Sequence, residues 1–115
     1  MSRKVTAAAL EVHRRLGPGF PECAYEQALR IELARRQVPF EPQKQVPLHY
    51  DGKLVATRVL DLLVDGTIVV ELKAAEALSP VHFAQVRSHL RATGAKVGLL
   101  LNVNSPTLVI KRLVN

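Results

Sequence analysis

The hydrophobic period of the chain alternates between helical and extended. From Val5 to Leu16 the apolar positions Ala8, Ala9, Val12 and Leu16 recur at helical spacing, and Gly17, Pro18 and Gly19 stop the helix they predict. A second helix is expected from about Pro21 to Gln37, where Tyr25, Ala28, Leu29, Leu33 and Arg36 recur at three and four, and Pro39 and Pro42 end helical structure. The stretch KQVPLHYDGKLVATRVLDLLVDGTIVVELK then reads as three strands joined at Asp51-Gly52 and Asp65-Gly66, dipeptides suited to tight hairpins. Pro47 has no N–H to give a ladder, which assigns the first of these strands to an edge. Helical spacing returns in PVHFAQVRSHLRAT, bracketed by Ser79 as N-cap, Pro80 at the first helical position and Gly94 just past the end. Two more strands, KVGLLLNV and TLVIKRLV, are joined by Asn104-Ser105-Pro106.

The resulting order, ααβββαββ, is an α/β (α+β) arrangement around one mixed sheet. The third strand, the last helix and the fourth strand form a β-α-β unit, so strands three and four should run parallel with a right-handed crossover. Central strands that are apolar on both sides predict helices over both faces. With no repeat, low-complexity segment or linker, residues 1–115 are expected to form a single domain.

The segment DLLVDGTIVVELK, Asp61 to Lys73, is nearly all apolar yet carries an acid at each end and a lysine. Leu60, Leu62 and Val64 alternate on one face of the second strand, and Ile68, Val70 and Leu72 on one face of the third, so these six should share the core side. Asp61, Glu71 and Lys73 then share the opposite face. This needs an odd connection at Asp65-Gly66, such as a three-residue loop with Gly66 left-handed, because a two-residue turn would set Asp61 and Glu71 on opposite faces. Two carboxylates beside an ammonium are oxygen donors for a hard cation such as Mg²⁺ or Mn²⁺. An ordinary ion pair at strand ends accounts for the same three residue types.

Charge adds a partner class. Sixteen Lys and Arg against ten Asp and Glu leave a net +6, which favours an anionic partner such as nucleic acid. The single cysteine, Cys23, excludes an internal disulfide and a cysteine-based zinc cluster, and is expected to be a small buried or half-buried hydrophobe. The N-terminus lacks a long apolar run and no segment approaches the ~18 apolar residues of a membrane span, so a cytoplasmic protein without membrane partners is expected. With no Trp, three Phe and two Tyr, an aromatic platform for stacking single-stranded bases is not expected.

Asp61-(x9)-Glu71-x-Lys73 across a hairpin, within the order αβββαβ, resembles the PD-(D/E)XK nuclease superfamily and its restriction-endonuclease-like core. GFPECAY, Gly19 to Tyr25, is similar to the GxxExxY signature of a prokaryotic family placed in that superfamily, and EVHRRLGPGF and VELKAAEALSP resemble it too. The resemblance implies a metal-dependent nuclease that hydrolyses phosphodiester bonds, DNA in preference to RNA, with Mg²⁺ or Mn²⁺ and a homodimer to grip a duplex. It implies that Asp61, Glu71 and the carbonyl of Leu72 bind the metal, that Lys73 orients or polarises the attacking water, that Glu22 approaches the metal from its helix, and that Gln85 matches a glutamine on the helix after the Glu-x-Lys strand. Two positions depart from the pattern: Leu60 stands where the superfamily's name has proline, and His89 where related sequences often have tyrosine. The alternative of another class is a catalytically silent nucleic-acid-binding or assembly module with the same fold. A toxin or defence component that needs a partner is a third.

The remaining candidates are assigned structural or peripheral roles. His13 is expected to interact with its helix end or a neighbour. His82, Gln85 and His89 share a helix face, read as polar surface toward substrate rather than a zinc site. Tyr25 should pack its ring under the second helix and make one hydrogen bond through its hydroxyl. Arg14-Arg15, Arg35-Arg36, Lys44, Arg87 and Arg91 form either a phosphate-facing rim or solvated helix faces.

Overall fold

The computed structural model describes all of residues 1–115. Its elements follow the expected order: α1 (Ser2–Leu16), α2 (Glu22–Arg35), β1 (Phe40–Tyr50), β2 (Lys53–Val64), β3 (Ile68–Lys73), α3 (Pro80–Thr93), β4 (Val97–Asn102) and β5 (Val109–Val114). The strands lie in one sheet in the order β1-β2-β3-β4-β5, antiparallel except for the parallel pair β3 and β4. Pro47 accordingly sits on an edge strand. The first helix begins at Ser2 rather than Val5, because the carbonyl of Met1 accepts the N–H groups of Lys4 and Val5 and closes an earlier turn.

Both faces of the sheet are covered, which explains the two-sided apolar strands. Val5, Ala8 and Val12 of α1 and Tyr25, Leu29 and Leu33 of α2 pack on Leu62, Val64, Ile68, Val70, Leu72, Leu99 and Leu101. On the other face Val86 and Leu90 of α3 pack on Leu60, Leu63, Val69, Leu100 and Leu113. The first cluster holds 17 buried residues and the second 9, so most of the hydrophobic stabilisation lies under α1 and α2.

The hairpin between β2 and β3 has the odd connection the pattern required. Val64 pairs with Ile68 across Asp65, Gly66 and Thr67, with φ of 54° at Asp65 and 66° at Gly66, and the Thr67 N–H donates to the Val64 carbonyl at 3.0 Å. One expected core residue lies elsewhere: Leu60 packs with the α3 cluster, not with Leu62 and Val64. The β2–β3 pairing extends only from Val64 to Leu62, and beyond it β2 leaves β3 while continuing along β1, so the alternation of faces breaks at Asp61. Cys23 is also corrected. It is exposed in the first turn of α2, because Tyr25 and Leu29 occupy that helix's buried stripe.

The approach of α3 to the sheet depends on Gly98 of β4. A Cβ there would lie 2.7 Å from Val86 Cγ1 and 3.4 Å from a Leu90 methyl, so helix and strand are closer than any other residue allows. Gly98→Ala is therefore expected to destabilise the protein by about 1–3 kcal/mol. Urea unfolding measures this, and an unchanged midpoint would contradict the packing. No helix is long and apolar enough to cross a membrane.

Candidate active site

Where β2 leaves β3, the carboxylate of Asp61 takes the place of a ladder carbonyl: its Oδ2 accepts the N–H of Leu72 at 2.9 Å. Asp61 is half-buried, and burial is the main reason its pKa is pushed up from 3.8 to about 6. The Leu72 N–H opposes that rise, while the charges of Glu26, Glu71 and Glu22 add to it. Glu71, the next acid along, is only 4 % exposed, and His89 Nδ1 donates to its Oε2 at 2.7 Å. Lys73 ends β3 half-buried and forms no ion pair. Glu22 opens α2, where burial raises its carboxyl above the usual range; Lys73 and His82 oppose the rise and Glu26 and Glu71 reinforce it. Asp61, Glu71, Glu22 and Lys73 thus come from three elements into one electrostatic cluster.

Tyr25 helps to place Glu22. Its ring is fully buried under α2, and its hydroxyl makes two hydrogen bonds rather than one, donating to the carbonyl of Gly17 and accepting the N–H of Phe20 at 3.2 Å. The turn that leads into Glu22 is thereby tied to the core. Gln85 is half-buried on α3, one turn before His89, and no hydrogen bond joins it to the acids.

His82, His89 and His13 each make a hydrogen bond within the fold. The His82 Nδ1 accepts the Ser79 N–H at 3.1 Å and closes the start of α3, and its charge also acts on Glu22. His89 is not polar surface, at 3 % exposure. His13 Nε2 donates to the carbonyl of Ser105 at 3.0 Å and joins α1 to the β4–β5 connection. The arginine rim is reduced as well. Arg14 and Arg15 pair with Glu11, Arg35 and Arg36 with Glu32, and Lys44 with Glu41, which leaves Arg87 and Arg91 of α3 as the unpaired cations of that set.

Two members of the cluster were not read from the sequence. Glu26 lies one turn after Glu22, ion-pairs with Arg30 and accepts Gln43 Nε2 on both oxygens at 2.9 Å. Its spacing from Glu22 was the available signal. His89 had none, because its relation to Glu71 depends on how α3 docks.

No three His, Cys, Asp or Glu side chains come close enough to hold a metal by themselves. The donors available are the freer oxygens of Asp61 and Glu71 and the carbonyl of Leu72, the residue after Glu71, with like charges crowded around them. An all-oxygen set of one or two carboxylates, with water completing the shell, suits Mg²⁺ or Mn²⁺. The residues therefore fit such an ion. The groove of about 290 Å³ between α1 and α2, lined by Val12, Leu16 and Ile31, does not include these acids.

Neither a curated protein nor a solved structure matches the chain. A family model described as the PD-(D/E)XK nuclease superfamily matches residues 1–113, nearly the whole length. With an α+β fold, a mixed sheet and helices on both faces, the chain belongs to the PD-(D/E)XK nuclease superfamily.

Proposed function

We propose that the protein is a metal-dependent nuclease that hydrolyses phosphodiester bonds, DNA in preference to RNA. What supports this is that the charges of Glu71 and Glu22 act on Asp61, with an unpaired Lys73 acting on Glu22, near the point where β2 and β3 separate. Crowded acids in a chain of net +6 repel one another and would repel a phosphate unless a cation joined them. Bound there, Mg²⁺ or Mn²⁺ would stabilise charge on the phosphate oxygens and lower the pKa of its water. Asp61 and Glu71, with the Leu72 carbonyl, would hold the ion, and Glu22 would supply a further carboxylate from α2. Lys73 orients the attacking water and adds fixed positive charge where negative charge develops. Gln85 on α3 would meet the substrate, and Arg87 and Arg91 on the same helix are free to meet phosphates. The scarcity of aromatic side chains favours a duplex over unstacked RNA bases, and a homodimer would supply the added surface that a duplex needs.

A second reading, a silent nucleic-acid-binding module, is favoured by one observation: Glu71 already has a partner in His89. Linear, branched and single-stranded DNA and RNA, incubated with Mg²⁺, Mn²⁺, Ca²⁺ or chelator, separate the two. Hydrolysis is expected with Mg²⁺ or Mn²⁺, weakly with Ca²⁺, and not with chelator or the Glu71→Ala protein. Cleavage that persists in excess chelator would refute the metal's role, and binding without cleavage would favour the silent module.

A further inference from the structure

We propose that His89 is a positioning residue: its Nδ1 secures Oε2 of Glu71 and thereby aims Oε1 at the divalent cation. The inference rests on the nuclease reading above and adds to it a residue that acts through Glu71 rather than on substrate.

The contact is short and dry. Nδ1 and Oε2 lie 2.7 Å apart, and His89 and Glu71 are 3 % and 4 % exposed. A carboxylate accepts, so the hydrogen of the imidazole sits on Nδ1. The other ring nitrogen, Nε2, is buried with no partner at all. Stability alone would not produce this arrangement. The neighbours of His89 on the inner face of α3, Val86 and Leu90, belong to an apolar cluster, and a leucine in place of the histidine would bury no orphaned nitrogen. Glu71 likewise gains nothing by burial, since burying a carboxylate with a single hydrogen-bond partner is seldom better than burying an apolar side chain of similar size. The pair makes physical sense if the free oxygen of Glu71 has a ligand of its own. A carboxylate ligand whose second oxygen is held by hydrogen bonding keeps one orientation, and the loss of such a support commonly weakens metal binding.

The rest of α3 is arranged to keep the ring in place. Val86, one turn before His89, sits against the bare Cα of Gly98, so the helix approaches the sheet closely enough for a short side chain to reach β3. Beyond His89 the Thr93 hydroxyl donates to the His89 carbonyl at 2.7 Å and accepts the Ala95 N–H at 3.1 Å, which fixes the last turn of the helix.

The test is calorimetric titration of the whole chain with Mn²⁺, for wild type, His89→Leu and His89→Asn, with melting curves to show that each is folded. Leucine fills the space without a donor, and the asparagine amide places a donor near the position of Nδ1. His89→Leu is expected to bind Mn²⁺ about 10–100-fold more weakly and His89→Asn to recover most of that loss. In cleavage assays the apparent KM for Mn²⁺ should rise in His89→Leu while the rate at saturating Mn²⁺ stays near that of wild type. Wild-type affinity in folded His89→Leu, or equal weakness in the asparagine variant, overturns the proposal and leaves the nuclease reading standing. A wild-type protein that takes up no Mn²⁺ overturns both. Should His89→Leu not fold, His89→Ala replaces it, because its cavity admits water to Glu71 Oε2. Added imidazole should then restore Mn²⁺ affinity, and failure to do so counts against the proposal.

Discussion

Lys73→Ala is expected to reduce cleavage by about 10²–10³-fold while binding nucleic acid as wild type does, the size of effect that follows loss of one preorganised electrostatic group. The lysine ends β3 half-buried and has no ion-pair partner, so its removal breaks no contact that supports the fold, and stability should change by no more than about 0.5 kcal/mol. What it does touch is the charge balance of the site, where it is the main force opposing the rise of the Glu22 pKa. The loss should therefore appear in kcat at unchanged KM. Reversing the unpaired Arg87 and Arg91 to glutamate should do the opposite, weakening binding and flattening its salt dependence. Wild-type cleavage by Lys73→Ala would reduce the lysine to a neighbour of Glu22 and strengthen the silent reading.

Asp61→Asn should make the metal-free protein more stable at neutral pH. Because the Asp61 carboxyl titrates at about 6 in the fold against an ordinary 3.8, the folded state holds its proton the more tightly. Its contribution to stability is fully present below the ordinary value and is lost as pH rises through the folded one. Above that pH the carboxylate, pressed by burial and by Glu26, Glu71 and Glu22, costs on the order of 1–2 kcal/mol, after allowance for the part of it that water still reaches. Asparagine keeps an oxygen for the Leu72 N–H and carries no charge, so it should melt several degrees higher at neutral pH and no higher near pH ~4. With ~10 mM Mg²⁺ and a Kd on the order of 1 mM, wild type gains roughly 1.4 kcal/mol and the variant gains nothing. Melting curves of both proteins, with and without Mg²⁺, decide the matter. If Mg²⁺ raises both equally, or neither, Asp61 is not a ligand.

What could be read from the chain and what could not divides along physical lines. The element order, the edge position of β1 and the three-residue turn at Asp65–Thr67 rest on period, proline and left-handed backbone, all local properties, and the structure has each of them. The neutralised arginines were legible too, since Glu11 with Arg14 and Arg15, and Glu32 with Arg35 and Arg36, stand at helical pairing distance. Leu60 was misassigned because strict alternation assumes that β2 stays paired with β3, and the strands part beyond Leu62. The contact of His89 with Glu71 joins residues 18 apart through the depth to which α3 docks, which Gly98 governs from a third element. No local pattern encodes that distance.

The two internal hydrogen bonds on the acids also bear on which cation the proposed site would favour. Asp61 accepts the Leu72 amide on Oδ2 and Glu71 accepts His89 on Oε2, so in each carboxylate one oxygen already carries a hydrogen bond and the other is the freer to coordinate. Each acid would then favour a single point of attachment, and with the Leu72 carbonyl the protein would provide a sparse set of donors. A large ion that seeks six to eight oxygens and readily accepts bidentate carboxylates would be underserved there, whereas a small octahedral ion that retains most of its own water would find what it needs. Discrimination between magnesium and calcium would then be set by what the acids are already bonded to, rather than by the width of a cavity.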